Sequence, residues 1–263
     1  MSDDGSIFDL GQGRNRALDE QPAHPGQNPF RNLPKRFYKE ATAAPLGDGF
    51  TVLLDGKGVK TPARSPLAVP TLALAQAMAD EWNRQGERID PRSMWLTKLA
   101  NTAIDRVAPR RDPVIDEIAA FAGTDLICYM ADAPVGLAQR QAAHWAPLVV
   151  WAEAELGASL RVTPGLIHVP QDEAALAAIR KAVSEASAFE LAALHNAVTL
   201  TGSAVIGLAL LRRRLNAAQA YEAAHVDEAW QAHLSGEDEE EAARLAARRA
   251  ELDDTMRFLE LLA

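Results

Sequence analysis

The chain has 263 residues, 48 % of them hydrophobic and 24 % charged, with 15 Pro and 16 Gly; this is the balance of an ordinary globular protein and excludes a collagen-like, mucin-like or wholly disordered chain. Its 27 Lys and Arg stand against 36 Asp and Glu, and the formal charge of -9 sets up a field that repels nucleic-acid phosphate and anionic membrane. A single cysteine, Cys128, excludes an intrachain disulfide and a multi-thiolate metal centre.

Residues 1–32 mix Gly, Gln, Asn, Pro and charge without a sustained period and read as a flexible leader. Asp3, Asp4 and Asp9 precede its first basic residue, which contradicts a secretory signal and fits a cytoplasmic protein. An extended segment at Arg36-Phe37-Tyr38-Lys39-Glu40 is followed by a Pro-Leu-Gly-Asp-Gly break and a second segment at Phe50–Leu54. The tight-turn pair Asp55-Gly56 and a short return strand over Val59-Lys60-Thr61 complete the pattern of a small antiparallel sheet. Past Pro70, Leu74, Met78 and Trp82 recur every four residues and predict a helix laid on that sheet. A second helix runs through Leu96, Leu99, Ala103, Ile104 and Val107 and ends before Pro109; Asp112-Pro113 then reads as an N-cap and first-turn proline, with Val114, Ile115 and Ile118 inward.

From there the pattern is almost wholly helical. Gln141, Trp145, Leu148 and Ala152 mark one stripe of a helix over Leu137–Leu156, with a kink or a new start expected at Pro147. Two short extended pieces, Ser159–Thr163 and Leu166–Val169, flank a Pro164-Gly165 turn, and Asp172 caps a helix with Leu176, Ile179 and Val183 inward. The uncharged run Leu191–Leu211 is long enough to cross a bilayer, but His195, Asn196, Thr199, Thr201 and Ser203 interrupt it and Gly202 and Gly207 weaken it, so it reads as a buried helix pair. Asn216 and Gln219 form a capping box that opens a helix over Ala217–Leu234, and Leu245, Leu252, Met256 and Leu259 mark the inner face of the last one. The fold class is therefore α+β, with a small N-terminal antiparallel β-rich domain at 33–110 and a larger, mainly α-helical domain at 111–263.

Chemistry-bearing motifs are sparse. There is no phosphate loop or dinucleotide fingerprint, and no cofactor is expected. Asp105 and Asp125 sit in apolar contexts and are the candidates for a buried general acid or base in a small-molecule hydrolase, although capping or a satisfied structural pair is the competing role for each. Cys128, between Ile127 and Tyr129, reads as a packing thiol, and His225, Glu228 and His233 lack a convincing fourth metal ligand. The charge is uneven: Glu222–Ala263 holds twelve acidic and four basic residues, including the run Glu237-Asp238-Glu239-Glu240-Glu241 at the start of the last helix. Such a run is either a solvated, well-capped helix start or an acidic recognition surface.

Several motifs in order carry a family resemblance. They are Arg36-Phe37-Tyr38-Lys39, Val52-Leu53-Leu54-Asp55-Gly56-Lys57, Glu81-Trp82, Ile89-Asp90-Pro91, Leu99–Arg106, Thr124–Tyr129, Gln141–Trp145, Thr163-Pro164-Gly165, Thr201-Gly202-Ser203 and Val226–Gln231. In these the chain resembles the assembly-chaperone family that handles the alpha subunit of the F-type ATP synthase head. The resemblance implies a non-catalytic, ATP-independent factor that binds unassembled alpha subunit transiently and prevents its self-association before it pairs with beta. It also carries a client-binding role onto Glu240, with Glu237 and Asp238 beside it, and Ser235 departs from the tryptophan usual in the family.

Overall fold

Asp55 and Gly56 both take positive φ, 47° and 80°, as a two-residue hairpin whose twist matches its strands requires. They fold strand β2 (Gly49–Leu54) back onto β3 (Lys57–Gly58), while β1 (Ala41–Leu46) pairs antiparallel along the other edge of β2, Ala41 opposite Leu54 and Leu46 opposite Gly49. The computed structural model describes residues 33–165, 167–236 and 238–263, and in it the chain divides into two units, one ending at Asp105 and the other beginning at Arg106. The leader expected at 1–32 lies outside the described residues.

In the first unit the ladder starts at Ala41 and not within Arg36–Glu40, because that segment is anchored by its side chains instead. The Arg36 guanidinium donates to the carbonyl oxygens of Tyr38, Lys39, Asn83 and Gln85. The buried Tyr38 ring meets Trp82 edge-on at 5.6 Å, and its hydroxyl donates to the Trp82 carbonyl at 2.6 Å. The return strand is shifted from the expected position: Lys57 and Gly58 form the ladder with β2, the Val59 N–H still bonds the Val52 carbonyl at 2.9 Å, and Lys60 makes an isolated bridge to Pro66. Helix α1 (Leu72–Asn83), capped by the Thr71 hydroxyl, buries Leu74, Met78 and Trp82 against β1 and β2 as their spacing predicts.

Helix α2 (Trp95–Thr102) has no acceptor of its own at its start, since Met94 stands at the cap. Glu81 of α1, 5 % exposed, supplies one: its carboxylate accepts the N–H groups of Leu96 at 2.7 Å and Thr97 at 2.9 Å, and the Thr97 hydroxyl at 2.8 Å. Charge-assisted bonds at a helix N-terminus are strong. Glu81→Gln keeps one acceptor oxygen but turns an amide N–H₂ toward donors, and should lower stability by about 2 kcal/mol in urea unfolding; an unchanged urea midpoint would deny the carboxylate this role.

The single helix expected to reach Val107 stops at Thr102, giving way to a π turn over Ala103–Val107 and a 3-10 turn over Ala108–Arg110. Pro109 cannot donate to the Asp105 carbonyl, so regular spacing has no bond to gain there. The Asp105 carboxylate instead accepts the Thr61 hydroxyl at 2.7 Å and the Ala63 N–H at 2.9 Å.

The second unit begins with α3 (Arg111–Ala120). Asp112 lies inside its first turn and does not cap it; Arg111 reaches away to donate to the carbonyls of Ser184 and Ala186, closing the end of α5 (Glu173–Ser184). Asp172 precedes α5 without a side-chain capping bond and pairs with Arg161. The apolar run resolves into α6 (Ala188–Thr201) and α7 (Ala204–Leu211), with Leu191, Leu194, Val198, Val205, Ile206 and Leu208 buried. Gly207 permits their close approach: a Cβ there would lie 2.4 Å from a Val198 methyl. Among the described residues no helix is long and apolar enough to cross a membrane.

Helix α4 (Val135–Leu156) continues through Pro147, contrary to the expected kink or restart. Pro147 and Ala143 are exposed, so the carbonyl that loses its N–H partner faces solvent. The helix predicted over Ala217–Leu234 is two, α8 (Ala217–Ala224) and α9 (Val226–Ser235), although the Asn216 and Gln219 capping box is present. His225 breaks it: the ring folds back on Tyr221 at 4.3 Å, with Nδ1 2.9 Å from the Tyr221 carbonyl. Helix α10 (Glu239–Leu261) packs on α6 and α8 through Leu252, Thr255, Phe258 and Leu259; Leu245 and Met256 are only half-buried. Of the two extended pieces near Pro164, strand β5 (Thr163–Pro164) pairs in parallel with β4 (Tyr129–Met130).

Candidate functional site

Two polar anchors hold α8 and α9 to α4. The Trp145 indole donates to the Ala223 carbonyl at 2.7 Å; Gln141 accepts from the Ala131 N–H at 2.6 Å and donates to the Asp227 carboxylate at 2.6 Å. Buried amides satisfied on both sides rigidify a junction. Trp230 then lies directly against Gly136, where a Cβ would come within 2.6 Å of the indole, and the Arg140 guanidinium sits 5.2 Å above the same ring. Leu234, one turn beyond Trp230, is 61 % exposed, and Val135, next to Gly136, is 67 % exposed. These residues present apolar surface along the start of α4 and the outer turns of α9, of the kind that anchors a protein partner.

That surface leads into the acidic segment. Gly236, with φ 80° and ψ 164°, adopts a backbone conformation open to glycine and turns the chain out of α9. Asp238 is the N-cap of α10, accepting the Glu240 N–H at 2.8 Å, and Glu239, Glu240 and Glu241 fill the first turn. Glu241 pairs with Arg244 at 2.5 Å; its hydrogen bond raises the Arg244 pKa, and the charges of Glu228 and Glu240 add to the effect. The Glu240 side chain is exposed and takes no part in the capping, to which only its backbone N–H contributes, whereas Glu237 lies outside the described residues. Of the client-binding residues expected from sequence, Asp238 therefore has a folding role and Glu240 presents its charge to solvent. Asp238→Ala should cost about 1 kcal/mol of stability through the lost cap, and Glu240→Gln should leave the melting temperature near wild type; equal melting of the two variants would deny the distinction.

The other chemical candidates are structural. Asp125, fully buried, accepts from Ile127 N–H at 3.3 Å and Val205 N–H at 3.1 Å and is hydrogen-bonded to Ser203; burial pushes its pKa up to about 6. Those partners are donors, whereas a hydrolytic dyad needs a second carboxylate or a histidine. Burial, aided by the Asp125 charge, pushes the Cys128 thiol up to about 12, which keeps it from acting as a thiolate. No group of three or more His, Cys, Asp or Glu that could hold a metal occurs among the described residues. Sequence reasoning missed the exposed Val135 and Leu234; only the Gly136 and Trp230 packing that positions them could have signalled it, and no local period links those two positions.

Residues 35–153 match the family model of the ATP12 chaperone protein. Among solved structures, Atp12 of Paracoccus denitrificans is 44 % identical with a TM-score of 0.84, covering 88 % of this chain and 99 % of that one. A point mutant of the same Paracoccus protein matches at 43 % identity and TM-score 0.84, over 88 % and 98 % of the two chains. The Agrobacterium tumefaciens protein Atu1473 is 41 % identical with a TM-score of 0.84, over 88 % of this chain and 87 % of that one.

Proposed function

This chain belongs to the ATP12 chaperone family, and from that premise we propose that it binds the unassembled alpha subunit of the F-type ATP synthase and keeps it from self-association until it pairs with beta. It is a binding protein and not an enzyme. The observation that carries the reading is likeness to Paracoccus Atp12 over 88 % of the chain at 44 % identity. Release follows from competition: beta contacts displace the chaperone when their free energy with alpha is the more favourable, so no ATP is consumed. We assign client recognition to the acidic start of α10, with Glu240 as its leading charge beside Glu237 and Asp238, and to the exposed Val135 and Leu234 with the half-buried Trp230. We assign it a cytoplasmic setting, in which the single buried Cys128 stays a reduced thiol.

Light scattering of isolated alpha subunit tests the chaperone activity. Equimolar protein should suppress the rise in scattering without added ATP, and beta subunit added afterwards should take the alpha subunit over. Undiminished aggregation of alpha, or suppression that requires ATP, would overturn this reading.

A further inference from the structure

The first unit contains a half-open cavity of about 470 Å³ that none of the foregoing uses. Its walls are apolar, with Leu54, Val59 and Ile89 among them, and Phe37, 73 % exposed, stands at its edge. Two features mark it as more than a packing gap. Trp82 lines it at 6 % exposure, an aromatic wall suited to an apolar side chain. The cavity is also lined by Lys57 and Lys60, both exposed and without a carboxylate partner among the described residues, while the carboxylate of Asp55 is engaged by the N–H groups of Lys39 and Glu40.

The charge of this unit agrees. Residues 33–105 carry ten Lys and Arg against eight Asp and Glu, whereas residues 106–263 carry fourteen against twenty-three. The described part of the first unit is thus the basic stretch of an acidic chain, and an apolar cleft with cations at its rim complements an apolar side chain that stands beside a carboxylate. We propose that this cavity is a second client contact, receiving an aromatic or leucine side chain from an acidic segment of the partner against Trp82, with the carboxylate on Lys57 and Lys60. The proposal rests on the chaperone reading for the identity of the partner, but its ligand chemistry can be tested without one.

The probe is 3-phenylpropionate, an aryl ring with a carboxylate, titrated into the full chain labelled with ¹⁵N; 3-phenylpropanol is the uncharged control. The Trp82 indole resonance, assigned by its loss in Trp82→Phe, and the Lys57–Lys60 amides should shift together. Affinity should fall by about fivefold or more for the alcohol and for the Lys57→Glu, Lys60→Glu double variant, whose sites are exposed and compatible with folding. At saturation the probe should weaken alpha-subunit binding by about threefold or more. No shift at Trp82, or equal binding of acid and alcohol, would overturn the ligand class. Probe binding only after removal of residues 1–32 would give the cavity to that segment, and an unchanged alpha-subunit affinity would remove the client from it. Loss of all alpha-subunit binding by the parent, with the probe still bound, would instead strike the chaperone function and leave the ligand class standing.

Discussion

With Glu240 replaced by lysine, the protein should melt where the parent does while its affinity for the alpha subunit falls by roughly 30-fold or more, which corresponds to about 2 kcal/mol. The two halves of this result have different physical origins. In the free protein Glu240 is exposed in the first turn of α10, where Asp238 provides the cap and Glu239 and Glu241 continue to complement the helix dipole. In the complex the same carboxylate would be desolvated against a cation of the client, and charge reversal then adds repulsion to the loss of a pair. Glu240→Gln should fall between parent and Glu240→Lys, because it removes charge and adds none. Binding should also weaken with salt in the parent and do so less steeply in either variant. Affinity titrations at physiological ionic strength, with thermal unfolding in parallel, check all of this; parental affinity in both variants would make the segment a solvated helix start and nothing more.

Asp125→Ala should give the largest loss of folding stability, about 3 kcal/mol near neutral pH, because it strips acceptors from buried N–H groups of Ile127 and Val205 and removes the Ser203 partner. The pH dependence gives the more specific signature. Burial raises the folded-state pKa of Asp125 from 3.8 to about 6, so between those values the folded protein holds a proton that the unfolded chain releases. The proton-linked part of its contribution to stability therefore grows as pH falls from neutrality toward 4 and is lost as pH rises through about 6, the hydrogen bonds to Ile127 and Val205 remaining. The stability gap between parent and variant should widen by about 2 kcal/mol between about pH 7 and 4.5. Asp55 and Asp90, whose pKa values are lowered by hydrogen bonds, lose their contributions at still lower pH and do so in both proteins. Urea midpoints from pH 7 down to about 4.5 measure the gap; a gap that stays constant or narrows on acidification would contradict the burial of a charged Asp125.

Asp125 also shows where sequence reasoning reaches its limit. Thr124–Tyr129 and Thr201-Gly202-Ser203 read as separate motifs, yet Asp125 joins them across 80 residues to Val205, and the Leu126 N–H bonds the Gly202 carbonyl. No local period encodes such a pairing. Where the signal was local it translated well: Asp55-Gly56 gave its turn, Leu74, Met78 and Trp82 their buried face, and Asn216 with Gln219 their capping box. Expectations failed where a side chain overrode propensity, as with the Arg36 anchoring that displaces the first strand and the His225 ring that splits α8 from α9. The acidic segment was visible as composition, but its division into a capping Asp238 and an exposed Glu240 needed the helix boundary itself. The apolar surface beside it depends on Trp230 meeting Gly136 across two helices far apart in sequence.

The central claim is a complex with the alpha subunit, and size-exclusion chromatography with in-line light scattering measures it most directly. Folded, assembly-competent alpha subunit mixed with this protein at micromolar concentration, without nucleotide, should elute as a new species whose mass is the sum of the two chains, and beta subunit should deplete it. Two unshifted peaks at the masses of the separate proteins would contradict the claim.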